Sequence, residues 1–466
     1  MTEPQSNQQL TRLMPRGSIK GMAVAVLAFV LAYLLYLFLP FENDVNKGLA
    51  VLLFIAILWF TEAVHITVTA LMVPIIAVVL GFEGITTKSA LSNFADPVIF
   101  IFFGGFALAT ALHIQQLDRK IAYYLLSLSR GNLLLASLMI FAVTAFMSMW
   151  ISNTATAAMM LPLALGVMSN LDRNTNRNSY VFVLLGVAYS ASIGGLGTLV
   201  GSPPNAIAAR ELGMDFAAWM KIGLPMVIIL LPLMIYVLWL VFRPNFKGET
   251  GSLAIKEDIE WTPIRLVTLV LFVFIALCWI FSSNITALLG TSSTDSLIAI
   301  FTAVMVVVLG CASWKDVADN TDWGVLLLFG GGITLSQVMQ QSGASQVLGQ
   351  LVADTFGGAH PLLVIFVICT FIIVLTEFTS NTASAALLVP VFAGVATQMN
   401  MPPEVLVLVI GIGASCAFML PVATPPNAIV FGSGLIHQRE MIRAGMVLNV
   451  LCVACLLYTS PSPRDA

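Results

Sequence analysis

The chain has 466 residues, of which 59% are hydrophobic and 9% charged, with a formal net charge of −3 and a mean hydropathy of +0.97. Soluble domains carry about 25% charged residues, so this chain cannot cover its own surface in water. A soluble globular protein is excluded; the small net charge itself says little, and no nucleic-acid partner is expected.

Continuous apolar runs, each long enough to cross roughly 30 Å of hydrocarbon, predict an all-α polytopic membrane protein rather than a barrel of short alternating segments. The N-terminal "MTEPQSNQQLTRLMPRGSIKG" is polar and has no small-residue cleavage site, so no removable signal peptide is expected. Spans follow at about 20–40, 47–64, 66–82 and 97–114, then an amphipathic "QQLDRKIAYYLLSLSRG". A segment over 133–168 carries "SMWISNTATAAMMLP" from Ser148, with several small polar residues and no charge. Further spans lie at about 180–209, 219–243, 263–281, 297–312 and 322–340, with an amphipathic stretch near 344–357. A segment over 361–396 carries "EFTSNTASAALLVP" from Glu377, and the last spans are 403–434 and 440–458. The polar loop from Arg243 divides the chain into halves.

The cysteines Cys278, Cys311, Cys369, Cys416, Cys452 and Cys455 form no paired C-x-x-C array, and His65, His113, His360 and His437 are scattered. Packing or lipid-facing roles are expected, with no metal cluster.

If the N-terminus is cytoplasmic and the two polar-centred segments are hairpins that return to their side of entry, the Lys and Arg residues divide unevenly. The cytoplasmic set is Arg12, Arg16, Lys20, Arg119, Lys120, Arg130, Arg173, Arg177, Arg243, Lys247, Lys256, Arg265, Lys315, Arg439 and Arg443; outside remain Lys47, Lys88, Arg210, Lys221 and Arg464. That division, 15 to 5, follows the positive-inside rule. The arm after the first motif, residues 155–168, is about 21 Å of helix. It is short for a full crossing, so Ser152-Asn153-Thr154 is placed at a re-entrant tip near the midplane.

Residues 152–167 match residues 380–395 at 9 of 16 positions. "GSPPNAIA" from Gly201 pairs with "ATPPNAIV" from Ala423, and "FFGGFAL" from Phe102 with "LFGGGITL" from Leu328, in the same order. The chain is therefore an internal duplication. Four spans precede the first hairpin and nine the second, which places the hairpins on opposite faces: an inverted-topology repeat, an architecture common among transporters.

The residue types fit that placement. A helix ending inside hydrocarbon leaves backbone groups that must be satisfied, and Ser, Asn and Thr supply short donors and acceptors. Pro203-Pro204 and Pro425-Pro426 break two spanning helices and free carbonyls near Gly201 and Ala423. Asn205 and Asn427 follow in the first turn of the next half-helix. Carbonyl ends suit a cation such as Na⁺, and N–H ends suit a carboxylate. Asn153, Thr154, Asn381 and Thr382 are expected to face a shared space. No Lys or Arg lies in either motif, so an anion would depend on dipoles, amides and bound Na⁺. Ser/Thr/Asn as mere helix glue is the plainer alternative, weakened here by the repetition. Glu377 is assigned a structural role, and Arg210 and Glu211 are expected to snorkel and pair. Asn284-Ile285-Thr286 fits a glycosylation acceptor.

The SNT and PPNA pairs, with "GVAYSASIGG" from Gly186 and "CAFMLPVATPPNA" from Cys416, resemble the divalent-anion/sodium symporter family, in particular its bacterial INDY-type dicarboxylate branch. The resemblance runs from about residue 20 to 455. It implies a homodimer of eleven spans and two hairpins per protomer, with scaffold and transport domains, elevator-type alternating access and Na⁺ cotransport of C4-dicarboxylates such as succinate, malate and fumarate. It implies a first Na⁺ site at Ser148, Ser152, Asn153 and Gly201, and a second at Thr376, Thr379, Asn381 and Ala423. It implies substrate contacts at Asn153, Thr154, Asn381 and Thr382, beside Ser202, Thr424 and Pro425. The expected division is a cytoplasmic tail 1–19, scaffold 20–131, transport part 132–243, linker 244–262, scaffold 263–359, transport part 360–458 and an atypical tail 459–466. In that tail Ser460-Pro461-Ser462-Pro463 cannot continue the family's apolar final helix. The expected location is a bacterial inner membrane, N-terminus cytoplasmic and C-terminus outside. The alternatives within transport are a Na⁺-independent exchanger and a citrate- or sulfate-selective member. An anion channel and an enzyme with Ser152 as nucleophile are set aside, the latter because no His or Lys lies nearby in sequence to activate it.

Overall fold

The computed structural model describes residues 16–129, 131–173, 175–246, 259–290, 294–356 and 360–459. The expected tails (residues 1–15 and 460–466), Arg130 and most of the linker (residues 247–258) lie outside the described residues.

Among the described residues the chain is helical, with no strand. The first half contains α1 (Arg16–Phe38), α2 (Asn43–Thr61), α3 (Ile66–Val79), α4 (Thr87–Ser92), α5 (Pro97–Ile114), α6 (Leu117–Ser127), α7 (Leu133–Ser148), α8 (Asn153–Val167), α9 (Arg177–Gly194), α10 (Pro203–Glu211) and α11 (Phe216–Phe242). The second half contains α12 (Pro263–Ile280), α13 (Ser282–Leu289), α14 (Thr294–Val308), α15 (Trp314–Asn320), α16 (Trp323–Gln341), α17 (Ala344–Phe356), α18 (Pro361–Thr376), α19 (Asn381–Gln398), α20 (Pro403–Gly413), α21 (Pro425–Gly432) and α22 (Gln438–Thr459).

Eight helical stretches among the described residues are long and apolar enough to cross a membrane. Other expected spans are shorter. α3 has 14 residues and contains Pro74, and α14 has 15, or about 21 and 22 Å. The expected span 403–434 is divided into α20 and α21. The short helices α4, α13 and α15 were not anticipated, because each lies in a loop too brief to show an apolar period.

The starts of the helices are chemically marked. Asp96 accepts from Val98 N at 3.0 Å and Pro97 occupies the first turn of α5. Asn132, Asp215 and Thr262 cap α7, α11 and α12 in the same way. Such side chains satisfy N–H groups that the helix itself cannot.

Burial separates a wet or lipid-facing periphery from a protein core. Every residue of α9 from Ser179 to Gly194 is buried, and the helix packs against α7, α8, α11 and α21. A helix apolar on all sides belongs at such a centre. α1 is the opposite case. It rests on α2 and leaves Phe29 and Phe38 62% and 81% exposed, as a lipid-facing helix would.

The FGG repeats mark close helix contacts. In α5, a Cβ on Gly104 would lie 2.5 Å from Ala299 O of α14; in α16, one on Gly331 would lie 2.6 Å from Ala70 O of α3. Absence of a side chain lets these backbones approach. The remaining parts interlock: α8 packs on α21, and α10 on α19. Each half therefore supplies one wall of the other's tip region.

Candidate ion and anion site

α7 stops at Ser148 and α8 starts at Asn153. Ser152 caps α8, accepting from Ala155 N at 3.3 Å. Both arms are too short to cross, at 16 and 15 residues or about 24 and 22 Å. The second tip repeats this arrangement. α18 stops at Thr376, α19 starts at Asn381, and Ser380 accepts from Ala383 N at 3.4 Å.

The two helix breaks are also alike. Asn205 donates through Nδ2 to Gly195 O and Thr198 O, both at 2.7 Å. Asn427 donates to Ala417 O at 3.2 Å and Leu420 O at 3.0 Å. Both Asn side chains are fully buried. Each ties down the irregular segment before its Pro-Pro pair through two main-chain carbonyls. Ser202 Oγ and Ser415 Oγ, 3.3 Å apart, join one break to the other.

Oxygens converge at each tip. Ser148 Oγ lies 2.7 Å from Ala191 O and 2.5 Å from Asn153 Oδ1. The orientation that satisfies both ends of this amide turns Nδ2 inward, where it donates to Ser148 Oγ, Ala191 O and Gly201 O at 2.5, 3.1 and 3.2 Å. Thr376 Oγ1 lies 2.8 Å from Ala414 O and 2.5 Å from Asn381 Oδ1. A hydroxyl has one proton, which cannot serve two acceptors at once. Each tip gathers hydroxyl, amide and main-chain carbonyl groups in one place, the donor types a hard monovalent cation takes. The first tip approaches so closely that a Cβ on Gly195 would lie 2.5 Å from Asn153 Oδ1; only glycine allows the amide there.

Of the expected residues, Ser148, Asn153 and Gly201 come together at the first tip, and Thr376 and Asn381 at the second. Ser152 and Thr154 are exposed and line a cavity of about 380 Å³ with Phe106, Thr110, His113 and Asp322. The residues lining that cavity do not include Asn381 or Thr382, which are half-buried. Ser202 and Thr424 are buried at the starts of α10 and α21, and Pro425 is exposed. Ala423 N bonds to Leu420 O at 3.2 Å. Thr379 Oγ1 is engaged with Leu375 O at 2.9 Å and Ser384 Oγ at 2.8 Å, which leaves its main-chain oxygen for other work. Ala191 and Ala414 were missed, because a carbonyl ligand leaves no signature in residue type.

Before the shared Ser-Asn-Thr the tips differ at four positions, and one of them changes charge. Where the first has Met149, the second has Glu377, only 2% exposed. Its carboxylate accepts from Phe418 N, Met419 N and Leu420 N at 2.8, 2.9 and 3.0 Å. In the first repeat Thr198 Oγ1 does the tying, donating to Met149 O at 2.5 Å. Arg210 pairs with Asp96 at 3.3 Å and lies 3.8 Å from Glu211.

Two short-armed helix hairpins, two broken helices and polar groups gathered at both tips are an arrangement suited to a membrane transporter. The chain belongs to the sodium:sulfate symporter family, whose transmembrane region matches residues 20–462; it is a transporter and not an enzyme. It is 55% identical to an uncharacterized transporter of Haemophilus influenzae, over 94% of this chain and 96% of that one. It is 33% identical to the sodium-dependent dicarboxylate transporter SdcS of Staphylococcus saprophyticus, over 97% of this chain and 92% of that one. Its fold resembles the YdaH transporter of Alcanivorax borkumensis (13% identity, TM-score 0.52, 85% of this chain and 98% of that one). It also resembles MtrF of Neisseria gonorrhoeae (13% identity, TM-score 0.55, 98% and 97%).

Proposed function

We propose that the protein is a secondary active transporter that carries C4-dicarboxylates together with Na⁺ across a bacterial inner membrane. The observation that carries this reading is the paired cluster of hydroxyl, amide and main-chain carbonyl groups: Ser148, Asn153, Ala191 and Gly201 at one tip, Thr376, Asn381 and Ala414 at the other. Two Na⁺ ions there neutralise a dianion that meets no Lys or Arg in either motif. Asn153, Thr154, Asn381 and Thr382, beside Ser202, Thr424 and Pro425, bind the carboxylates. Ser152, Thr379 and Ala423 complete the Na⁺ shells through main-chain or hydroxyl oxygens. The likeness to a sodium-dependent dicarboxylate transporter supports the substrate class.

The proposed division of labour follows the repeat. Residues 20–131 with 263–359 form the scaffold, where α5 meets α14 and α3 meets α16. Residues 132–243 with 360–458 form the interlocked part that moves, elevator-fashion, within a homodimer. The N-terminus is cytoplasmic and the C-terminus outside. Uptake of labelled succinate into proteoliposomes, with and without an inward Na⁺ gradient, tests the reading. Uptake that requires the gradient and saturates supports it. Counterflow that needs no Na⁺ makes the protein an exchanger, and competition by sulfate or citrate but not succinate reassigns the substrate.

A further inference from the structure

α11 packs mainly on α9, on α22 and on the turn at Gly195–Gly197, all within the part proposed to move. Its first residues reach the other way, to the proposed scaffold. Asp215 caps α11 with Oδ1, which accepts from Ala218 N at 2.7 Å, while Oδ2 accepts from Ser283 Oγ of α13 at 2.7 Å. Asp295, in the first turn of α14, accepts from Phe216 N at 2.8 Å. The Phe216 ring stacks on Trp279 of α12 with centroids 5.0 Å apart, and Trp279 Nε1 donates to Asp295 O at 3.2 Å. At the end of α10, Arg210 Nε donates to Asp96 Oδ2 at 3.3 Å, while Asp96 Oδ1 caps α5.

These contacts surround a cavity of about 670 Å³ lined by Asp96, Arg210, Glu211, Asp215 and Asp295. No residue lining it belongs to either Ser-Asn-Thr tip. With the N-terminus cytoplasmic, α5 begins outside at Asp96 and ends inside at His113. This cavity then lies on the outer face, and the cavity lined by His113, Ser152 and Thr154 lies on the inner face. The first tip is reached from the inner side and walled off from the outer one.

We propose that the contacts Asp96–Arg210, Asp215–Ser283 and Asp295–Phe216 form an outer latch, which holds the moving part against the scaffold while the first tip faces inward and opens each time the tips turn outward. The inference rests on the scaffold-and-moving-part reading above and adds the residues that hold one of its states. Asp96 and Asp215 suit the task because each keeps one oxygen for its own helix cap and turns the other across the boundary. The cross-contact can therefore be lost without uncapping the helix. The Arg210 side chain is 33% exposed and Ser283 is exposed, so water can replace either partner at small cost. The Phe216–Trp279 stack, buried on both sides, sets the register in which the polar ties meet. Ties of this strength bias a two-state equilibrium rather than fix it.

The test is labelling from outside at Leu199→Cys, a position that lines the outer cavity and is only 1% exposed. A membrane-impermeant maleimide is added to right-side-out vesicles carrying the full chain, with protein lacking the added cysteine as background. Arg210→Ala removes one tie and leaves Asp96 capping α5; it is expected to speed labelling by about three- to tenfold. Arg210→Lys, which keeps the charge, should return most of the slow rate. Ser283→Ala leaves the Asp215 cap in place, should speed labelling in the same direction, and gives the measurement again should Arg210→Ala not fold. Variants labelled no faster than their parent overturn the latch, as does faster labelling that Arg210→Lys does not reverse. Labelling needs no substrate, so it is separate from the dicarboxylate reading. Wild type that binds succinate equally in Na⁺ and in choline overturns that reading, and faster labelling of the variants would still support the latch.

Discussion

Asn449 Nδ2 donates to Glu377 Oε1 at 2.7 Å, so the last helix is tied to the second tip through a carboxylate that also holds three consecutive backbone N–H groups. Glu377→Gln turns one acceptor oxygen into a donor that faces N–H groups. A buried donor left unpaired costs about 1–3 kcal/mol. The variant should unfold at lower temperature in detergent and lose transport, whereas Met149→Leu at the matching position of the first repeat should do neither. Equal melting temperatures for wild type and Glu377→Gln would contradict the pinning role.

Asn153→Ala and Asn381→Ala should each abolish succinate uptake while the protein remains folded, because each removes a cation ligand and an anion donor together. Ser148→Ala should spare some uptake and raise the Na⁺ concentration for half-maximal rate. Uptake assays across a Na⁺ series, paired with size-exclusion profiles, read both outcomes. An unchanged Na⁺ dependence would remove Ser148 from the first cluster.

Gly195→Ala places a methyl group where the Asn153 amide lies, at 2.5 Å, so the amide must leave its hydrogen-bonded position beside Ala191 O and Gly201 O. Na⁺-dependent stabilisation should disappear. Gly166→Ala is the control: nothing lies within 4 Å of its added Cβ, and it sits inside α8. There alanine should stabilise by about 0.5–1 kcal/mol. A Na⁺ shift in melting temperature that survives Gly195→Ala would argue against the close approach.

Asn205→Asp removes both Nδ2 donors and leaves Gly195 O and Thr198 O facing an acceptor. Asn427→Asp does the same to Ala417 O and Leu420 O. Each should lose about 1–3 kcal/mol for each unpaired carbonyl, and each should weaken Na⁺ binding, since these strands lead to the cluster carbonyls. Thermal unfolding with and without Na⁺ measures the two effects separately. Melting curves unchanged by either substitution would show that the carbonyls are held by something else.

Much of this site could be read before any coordinates. The SNT and PPN pairs located both tips and both breaks because helix termination inside hydrocarbon demands particular residue types. Ala191 and Ala414 stayed hidden for the converse reason: their carbonyls contribute whatever the side chain is. The pairing of Asn205 with the strand before it was also missed. Its signal was present, since Asn recurs directly after Pro-Pro in both halves, but the sequence does not say toward which strand the amide points. The FGG repeats were noted as repeats, and only the packing of Gly104 on Ala299 and Gly331 on Ala70 gave them a physical purpose. Arg210 was expected to pair, and Asp96, more than a hundred residues earlier, proved to be a partner.

The interlock of α8 with α21 and of α10 with α19 also governs assembly during synthesis. The ribosome delivers the first hairpin and the first broken helix well before the segments that wall them in, so their polar tips must wait in the bilayer without native partners. Contacts this far apart in sequence raise the loop-closure cost and slow folding. The half-chain 16–243 contains a complete copy of the repeated motifs, but it would expose buried amides and carbonyls to lipid. Two copies walled in by each other are expected not to fold as separate units, and severing the linker loop should yield fragments that recover their structure only when both are present.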